Sequence, residues 1–204
     1  MSDALSPRVT PSNCWQADDP VALTAIFQPS INLAVWDRPQ PEVQRYLAAL
    51  TAHPAGLSLK EWGTPDSIFR SLQRALPDGQ DRQLLLDDLR LLLDMYACLF
   101  DLDELGIRIN LLRHAMCPRF HVDRVHTRLV CSYGGAGTEW LPNDQVDRSA
   151  LQRPTCHGAI EQLAAGQVAL LKGELWPDNV GSGIVHRSPA LASGDSRLLV
   201  TFDM

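Results

Sequence analysis

The sequence has no run of eighteen consecutive apolar residues, so nothing in it reads as a membrane span. Residues 1–20 are polar and lack the apolar core of a secretory leader, so they read as a loose tail. Cysteines number five, odd and scattered, which argues against a disulfide framework and makes a reducing cytoplasm the expected location. Excess positive charge is also missing. Lys and Arg total 18 against 24 for Asp and Glu, a net charge of −6 over 204 residues, which disfavours a general nucleic-acid binder. No internal repeat or low-complexity tract is visible. What is present, 45% hydrophobic and 21% charged residues, is globular composition sufficient to bury a core.

The charge is unevenly spread. Residues 1–106 hold 8 basic and 15 acidic side chains, whereas residues 107–204 hold 10 and 9. Between Arg108 and Arg128 there are five arginines and a single acid, Asp123. Such a cluster in an acidic protein is either a set of solvated strand-face residues or a site for a small anion, a carboxylate or phosphate.

Periodicity divides the chain at about residue 106. Residues 21–106 read as mainly helical. A short strand is expected over Ile31–Trp36, and a helix over Pro41–His53 with Val43, Leu47 and Leu50 on one face. Thr64-Pro65-Asp66 opens a second helix that Pro77 stops. A third runs from about Asp81 to Glu104, with Leu85, Leu89, Leu92, Tyr96 and Leu99 as its apolar stripe and Gly106 closing it. Residues 107–204 change to a period of two. Strands are expected over Ile107–Leu112, Arg128–Tyr133, Gln167–Lys172, Gly183–His186 and Arg197–Phe202, joined by Gly- and Pro-containing turns. The fold expected is α+β, one integrated domain with an N-terminal helical layer followed by a β core of barrel or sandwich type.

The chemistry concentrates in Cys117-Pro-Arg-Phe-His121-Val-Asp123-Arg-Val-His126. Were this segment a strand, His121 and Asp123 would share a face and converge on one ion. An imidazole and a carboxylate make two-thirds of a 2-His-1-carboxylate site, and His186, 65 residues downstream, supplies the missing imidazole. Arg197 follows His186 by 11 residues.

This constellation resembles the Fe(II)/2-oxoglutarate-dependent dioxygenases of double-stranded β-helix (jelly-roll, cupin-like) fold. There an H-x-D pair and a distal His bind iron, and an Arg about ten residues further on grips the cosubstrate carboxylate. The resemblance covers roughly residues 106–204, and Gly166–Gly173 is similar to the strand preceding the distal His. More closely, CPRFHVDRVHTRLVCSYGGAGTEWLP and VHRSP…RLLVTFD resemble the bacterial family named domain of unknown function 1826. The resemblance implies a metal at His121, Asp123 and His186, Fe(II) or Zn or another divalent ion. It implies 2-oxoglutarate, a small-molecule carboxylate, on Arg197, with Arg128 or Lys172 as further anchors, and oxidative hydroxylation of a substrate that the sequence does not name. One departure stands out: Leu198-Leu199 follows Arg197 where an Arg-x-Ser pairing is common. The competing expectation is a cupin-like metal-binding or metal-homeostasis protein that performs no turnover on the same three ligands.

Other residues receive narrower readings. Tyr133, Trp140 and Lys172 are candidates for a substrate pocket, with core packing the alternative for the two aromatics. His126 falls on the opposite strand face from His121 and reads as support or as exposed. Cys117, His121, His126 and Cys131 match no familiar zinc spacing. Cys156-His157 are adjacent in sequence and so poorly placed to act as nucleophile and base. Gly134-Gly-Ala-Gly-Thr138 lacks the Lys-Ser/Thr of a phosphate loop and is expected to form a tight turn bringing Glu139 and Trp140 toward the site.

Overall fold

Alternating side chains in the C-terminal half build the centre of a large sheet in the computed structural model of the chain, which describes residues 13–53, 56–151 and 158–204. In chain order the elements are β1 (Cys14–Ala17), a 3₁₀ segment (Pro20–Phe27), β2 (Leu33–Trp36), α1 (Gln44–Ala52), β3 (Ser58–Gly63), α2 (Pro65–Ala75) and α3 (Arg82–Phe100). There follow β4 (Leu105–Leu112), β5 (Thr127–Tyr133), β6 (Glu139–Leu141), β7 (Glu161–Gln162), β8 (Val168–Lys172), β9 (Val185–Arg187) and β10 (Arg197–Asp203). The architecture is mixed α and β. Among the described residues, no helix is long and apolar enough to cross a membrane.

Seven strands form one sheet in the order β1-β2-β8-β5-β10-β4-β3, and three form another in the order β7-β6-β9. Every pairing is antiparallel except that of β1 with β2. The two faces of the large sheet bury different things. Leu129, Cys131 and Tyr133 of β5, Val168 and Leu170 of β8, and Leu198, Val200 and Phe202 of β10 share one apolar cluster with Tyr46, Leu72, Leu85, Leu89 and Tyr96 of the helices. Val130 of β5, Ala169 and Leu171 of β8, and Leu33 and Val35 of β2 pack on the other face against Trp140 of the small sheet. With both faces covered, β8 is apolar at nearly every position, and its alternation fades accordingly.

Residues 21–106 are less purely helical than expected. They supply β2 and β3 to the same sheet as the C-terminal strands, and β1 joins it from residues expected to form a loose tail. Trp62 of β3 stands 61% exposed, which masked the alternation in the sequence. The third helix ends at Phe100, not at Gly106. Asp101 takes a left-handed conformation (φ 52°) and its N–H reaches the carbonyls of Ala97 and Cys98, closing the helix as a glycine would. Gly106 instead lies in β4 opposite Trp62, whose ring comes within 3.0 Å of where a Cβ would sit. The first helix starts at Gln44, and the second matches its signals: Thr64 Oγ1 accepts from the Ser67 N–H at 3.2 Å with Pro65 in the first turn. Leu85, Leu89 and Leu92 of α3 are fully buried, each contributing about 1.5–3 kcal/mol of transfer free energy.

Candidate metal centre

His121 and Asp123 sit in the connection between β4 and β5, and the segment is not the strand the spacing suggested. Their convergence has another cause. His121 makes an isolated antiparallel bridge to His186 of β9, with N–H to carbonyl distances of 3.0 Å in both directions. The bridge sets the two rings 4.5 Å apart, centroid to centroid. Beyond it the chain bends, held by the Glu174 N–H on the Asp123 carbonyl at 3.0 Å, and the carboxylate turns back toward both rings. Asp123 Oδ1 lies 3.6 Å from His121 Nε2, and Oδ2 lies 3.3 Å from His186 Nε2. The three potential ligand atoms all fall within 4.8 Å of one another.

The ring tautomers bear on what fits there. His121 Nδ1 donates to the Arg119 carbonyl at 2.9 Å and His186 Nδ1 to the Ile184 carbonyl at 3.2 Å. A carbonyl only accepts, so in each neutral ring the proton resides on Nδ1 and the Nε2 lone pair faces Asp123. Two lone pairs and a carboxylate then point at one another, an arrangement that is repulsive unless a cation lies between them or a ring nitrogen takes up a proton. Burial lowers the His121 pKa, as does the neighbouring His186, which favours the neutral, ligating form. Burial opposes the charge on Asp123, but the ring protons that His186 and His121 carry when charged, together with the Arg128 guanidinium, outweigh it and hold the pKa at about 2. Two imidazoles and one carboxylate, with both Nδ1 atoms tied to the backbone, suit a divalent transition ion.

Two arginines flank the triad. Arg128 forks onto Asp203, Nε to Oδ1 at 2.6 Å and Nη2 to Oδ2 at 3.2 Å, and places Nη1 2.5 Å from Asp123 Oδ2. Its donors are thus engaged by two carboxylates of the protein, which leaves it poorly disposed to anchor a cosubstrate. Arg197 differs. Only 2% exposed, it donates to neutral oxygens, Nη1 to the Ala136 carbonyl at 3.3 Å and Nη2 to Ser188 Oγ at 3.2 Å. Among the described residues no carboxylate lies within ion-pair distance of it. Burial pulls its pKa down to about 10, opposed by the charge of Glu139. A cavity of about 60 Å³ joins the sites, lined among others by His121, His186, Arg128, Ser188 and Arg197.

The remaining candidates lie elsewhere. Tyr133 points to the helix face, where its hydroxyl donates to Asp88 Oδ2 at 2.5 Å, and does not line the cavity. Lys172 is buried at the C-terminal end of β8 on the face of Val168 and Leu170, its ammonium 2.8 Å from the Gln28 carbonyl and over the Trp176 ring. Trp140 pairs with His186 across β6 and β9 but packs between the sheets, behind the site. His126 is exposed, and Cys131 faces the helices, so the four-residue zinc set does not assemble. Cys156 and His157 lie outside the described residues. Gly134 and Gly135 both take φ of 67° in the expected tight turn, and a Cβ on Gly135 would meet the Ser196 carbonyl at 2.9 Å. The turn delivers Glu139 to an ion pair with Arg187 at 2.5 Å. Asp203 and Ser188 fall within the family-like segments RLLVTFD and VHRSP, but no spacing singles them out: strand register sets Asp203 opposite Arg128, and Ser188 meets Arg197 just past β9. A roomier apolar cavity of about 410 Å³, lined by Leu23, Met95 and Tyr96 among others, lies on the helix face and, among the described residues, holds no converging ligand set.

Among solved structures the chain is similar to the dioxygenase for auxin oxidation in rice, at 12% identity over 84% of this chain and 72% of that one, with a TM-score of 0.52. This likeness bears on fold alone. It is also similar to dioxygenase for auxin oxidation 1 from Arabidopsis thaliana in its 2-oxoglutarate complex (11% identity, 72% of this chain, TM-score 0.48), spanning 61% of that chain's length. A C-terminally truncated protein of Neurospora crassa, solved in its apo form, gives 12% identity over 89% of this chain and 85% of that one, with a TM-score of 0.49. No curated protein matches the chain in sequence. Residues 17–203 match the family described as protein of unknown function (DUF1826), and the chain belongs to that family.

Proposed function

We propose that the chain is a double-stranded β-helix oxygenase that uses Fe(II) and 2-oxoglutarate to hydroxylate a small molecule. The observation that carries this reading is one cavity lined by both histidines of the His-Asp-His cluster and by a buried guanidinium that, among the described residues, has no carboxylate within ion-pair distance. A buried, uncompensated cation is costly to the fold and suits an anion that arrives from outside. The two facing sheets and the fold likeness to the rice dioxygenase support the architecture. The hydroxyl that sequence leaves out beside Arg197 is offered from another element, Ser188 just after β9.

His121, Asp123 and His186 would hold the ion on one side and leave the other side for ligands. An Fe(II) ion there supplies the redox chemistry by which dioxygen, 2-oxoglutarate and a C–H bond become succinate, carbon dioxide and an alcohol. Arg197 would hold the far carboxylate of the ketoacid by a charge-assisted contact. Val130 and Leu199 make the cavity wall apolar beside it, excluding water and strengthening that contact.

The test is metal analysis followed by anaerobic addition of Fe(II) and 2-oxoglutarate. The expected result is one ion per chain and a weak visible charge-transfer band, then oxygen-dependent succinate release. His121→Ala and His186→Ala should each abolish stoichiometric binding in a folded protein. Arg197→Ala should leave metal binding in place and weaken 2-oxoglutarate binding by about 30- to several-thousand-fold, the equivalent of about 2–5 kcal/mol. One tightly held zinc with no 2-oxoglutarate binding would overturn the oxygenase in favour of a metal-binding module.

A further inference from the structure

The contacts of Arg128 extend the site beyond its ligands. Arg128 and Asp203 are directly opposite in the β5–β10 register, which fixes their fork-to-fork pairing through the backbone. Their side chains are about 16% and 14% exposed, largely removed from water. The fork leaves Nη1 of Arg128 free of Asp203, and that nitrogen meets Asp123 Oδ2. Asp123 itself lies in a loop, so its backbone does little to fix the rotation of its carboxylate. Its Oδ2 is shared between Arg128 and His186, and its Oδ1 faces His121.

We propose that Arg128 and Asp203 act together as a charge-neutral clamp that positions the Asp123 carboxylate as a metal ligand. The inference rests on the reading of His121, Asp123 and His186 as ligands. Arg128 supplies direction, since a planar guanidinium fixed by two bonds presents its third donor along a set line. Asp203 supplies neutrality. A lone guanidinium touching a ligand carboxylate would place a second positive charge near the ion and compete for the same oxygen, and Asp203 offsets it. Arg108, whose Nη2 lies 3.5 Å from Asp203 Oδ2, is 45% exposed and contributes little.

The competing account treats Arg128–Asp203 as a strand-end ion pair whose effect on the site is only the charge it carries. The two differ in sign. A charge effect alone makes Arg128→Gln bind metal more tightly and Asp203→Asn less tightly. A clamp makes both weaker, although the charge changes are opposite. Co(II) serves as the probe, with affinity read by chelator competition and geometry by the d–d absorption band of the full-length protein. Arg128→Gln and Asp203→Asn should each lose about 10- to 100-fold in Co(II) affinity and shift the band. Arg128→Lys, which keeps the charge without the fork, should fall between them and wild type. Circular dichroism of the metal-free proteins checks folding, and if Arg128→Gln does not fold, Arg128→Lys carries the test, since a charge effect alone leaves its affinity unchanged. Tighter binding by Arg128→Gln, or affinities within twofold of wild type, overturns the clamp while leaving the metal site intact. No Co(II) binding by the wild-type protein removes the metal site itself, and the clamp with it.

Discussion

Two buried arginines lie on opposite faces of the large sheet, and they are treated differently. Arg38, on the helix face, forks onto Asp88 of α3 at 2.5 and 2.7 Å, donates to the Gly166 carbonyl and lies over the Trp36 ring. Burial works against its charge, but Asp88 outweighs burial and raises the pKa above that of a free guanidinium. Arg197, on the other face, has a carbonyl and a hydroxyl for partners, and burial wins. The fold can neutralise a buried arginine, and does so where the purpose is packing. At the cavity it leaves the charge without a carboxylate among the described residues, a cost to stability that the proposed ligand would offset.

The largest effect should come from breaking the neutralised face. Asp88 accepts from Arg38 and from Tyr133, so Asp88→Ala strands a guanidinium and a hydroxyl in a dry interior. A loss of about 3–5 kcal/mol is expected, a large share of the stability of an ordinary domain. Urea unfolding measures it, and a loss below about 1 kcal/mol would mean that water reaches Arg38. Metal binding by the folded fraction should be unaffected, because Asp88 lies across the sheet from the triad.

The matching substitution on the other face should have the opposite character. Arg197→Met removes a buried charge that has no carboxylate partner among the described residues and fills its space with a flexible apolar side chain. Stability should stay within about 1 kcal/mol of wild type or rise. A drop as large as that of Asp88→Ala would show that Arg197 is held by the protein itself, and the ligand-anchor reading would lose its basis. Read together by urea unfolding, the two variants separate a structural arginine from a functional one.

The parts of this arrangement that were legible in sequence are those with a period or a spacing. The alternation in β4 and the stripe of α3 follow from repeated burial of one face, which any window of residues reveals, whereas β8 shows in sequence as a short apolar run. His121, Asp123 and His186 were found by residue type, although the strand argument for bringing them together was wrong. The bridge between His121 and His186 does that work, and a bridge across 65 residues leaves no local trace. Asp203 and Asp88 were invisible for the same reason. Each is one acid among 24, and only tertiary register gives it an arginine. Strand β3 was missed because it lies at an edge, with alternating residues only half buried.

Cysteine labelling sharpens the contrast between the faces with the smallest perturbation. Cys131 is buried on the helix face beside Arg38, and burial pushes its thiol up to about 11, with the Arg38 charge opposing. Cys14, packed between the sheets, is pushed by burial and by Glu161 up to about 12. At pH 8 those values leave about one thiolate in a thousand and one in ten thousand, and burial blocks access to both. Cys98 and Cys117 are exposed, and Cys117 lines the cavity of the triad. Iodoacetamide at pH 8, followed by peptide mass mapping, should therefore label Cys98 and Cys117 in the native protein and leave Cys14 and Cys131 unmodified. In the Asp88→Ala variant, Cys131 should become labelled at a rate that tracks the unfolded population, because nothing short of opening the helix face exposes it. Native labelling of Cys131 as fast as that of Cys117 would show the helix face opening locally, and the division into a sealed packing face and an accessible chemical face would not hold.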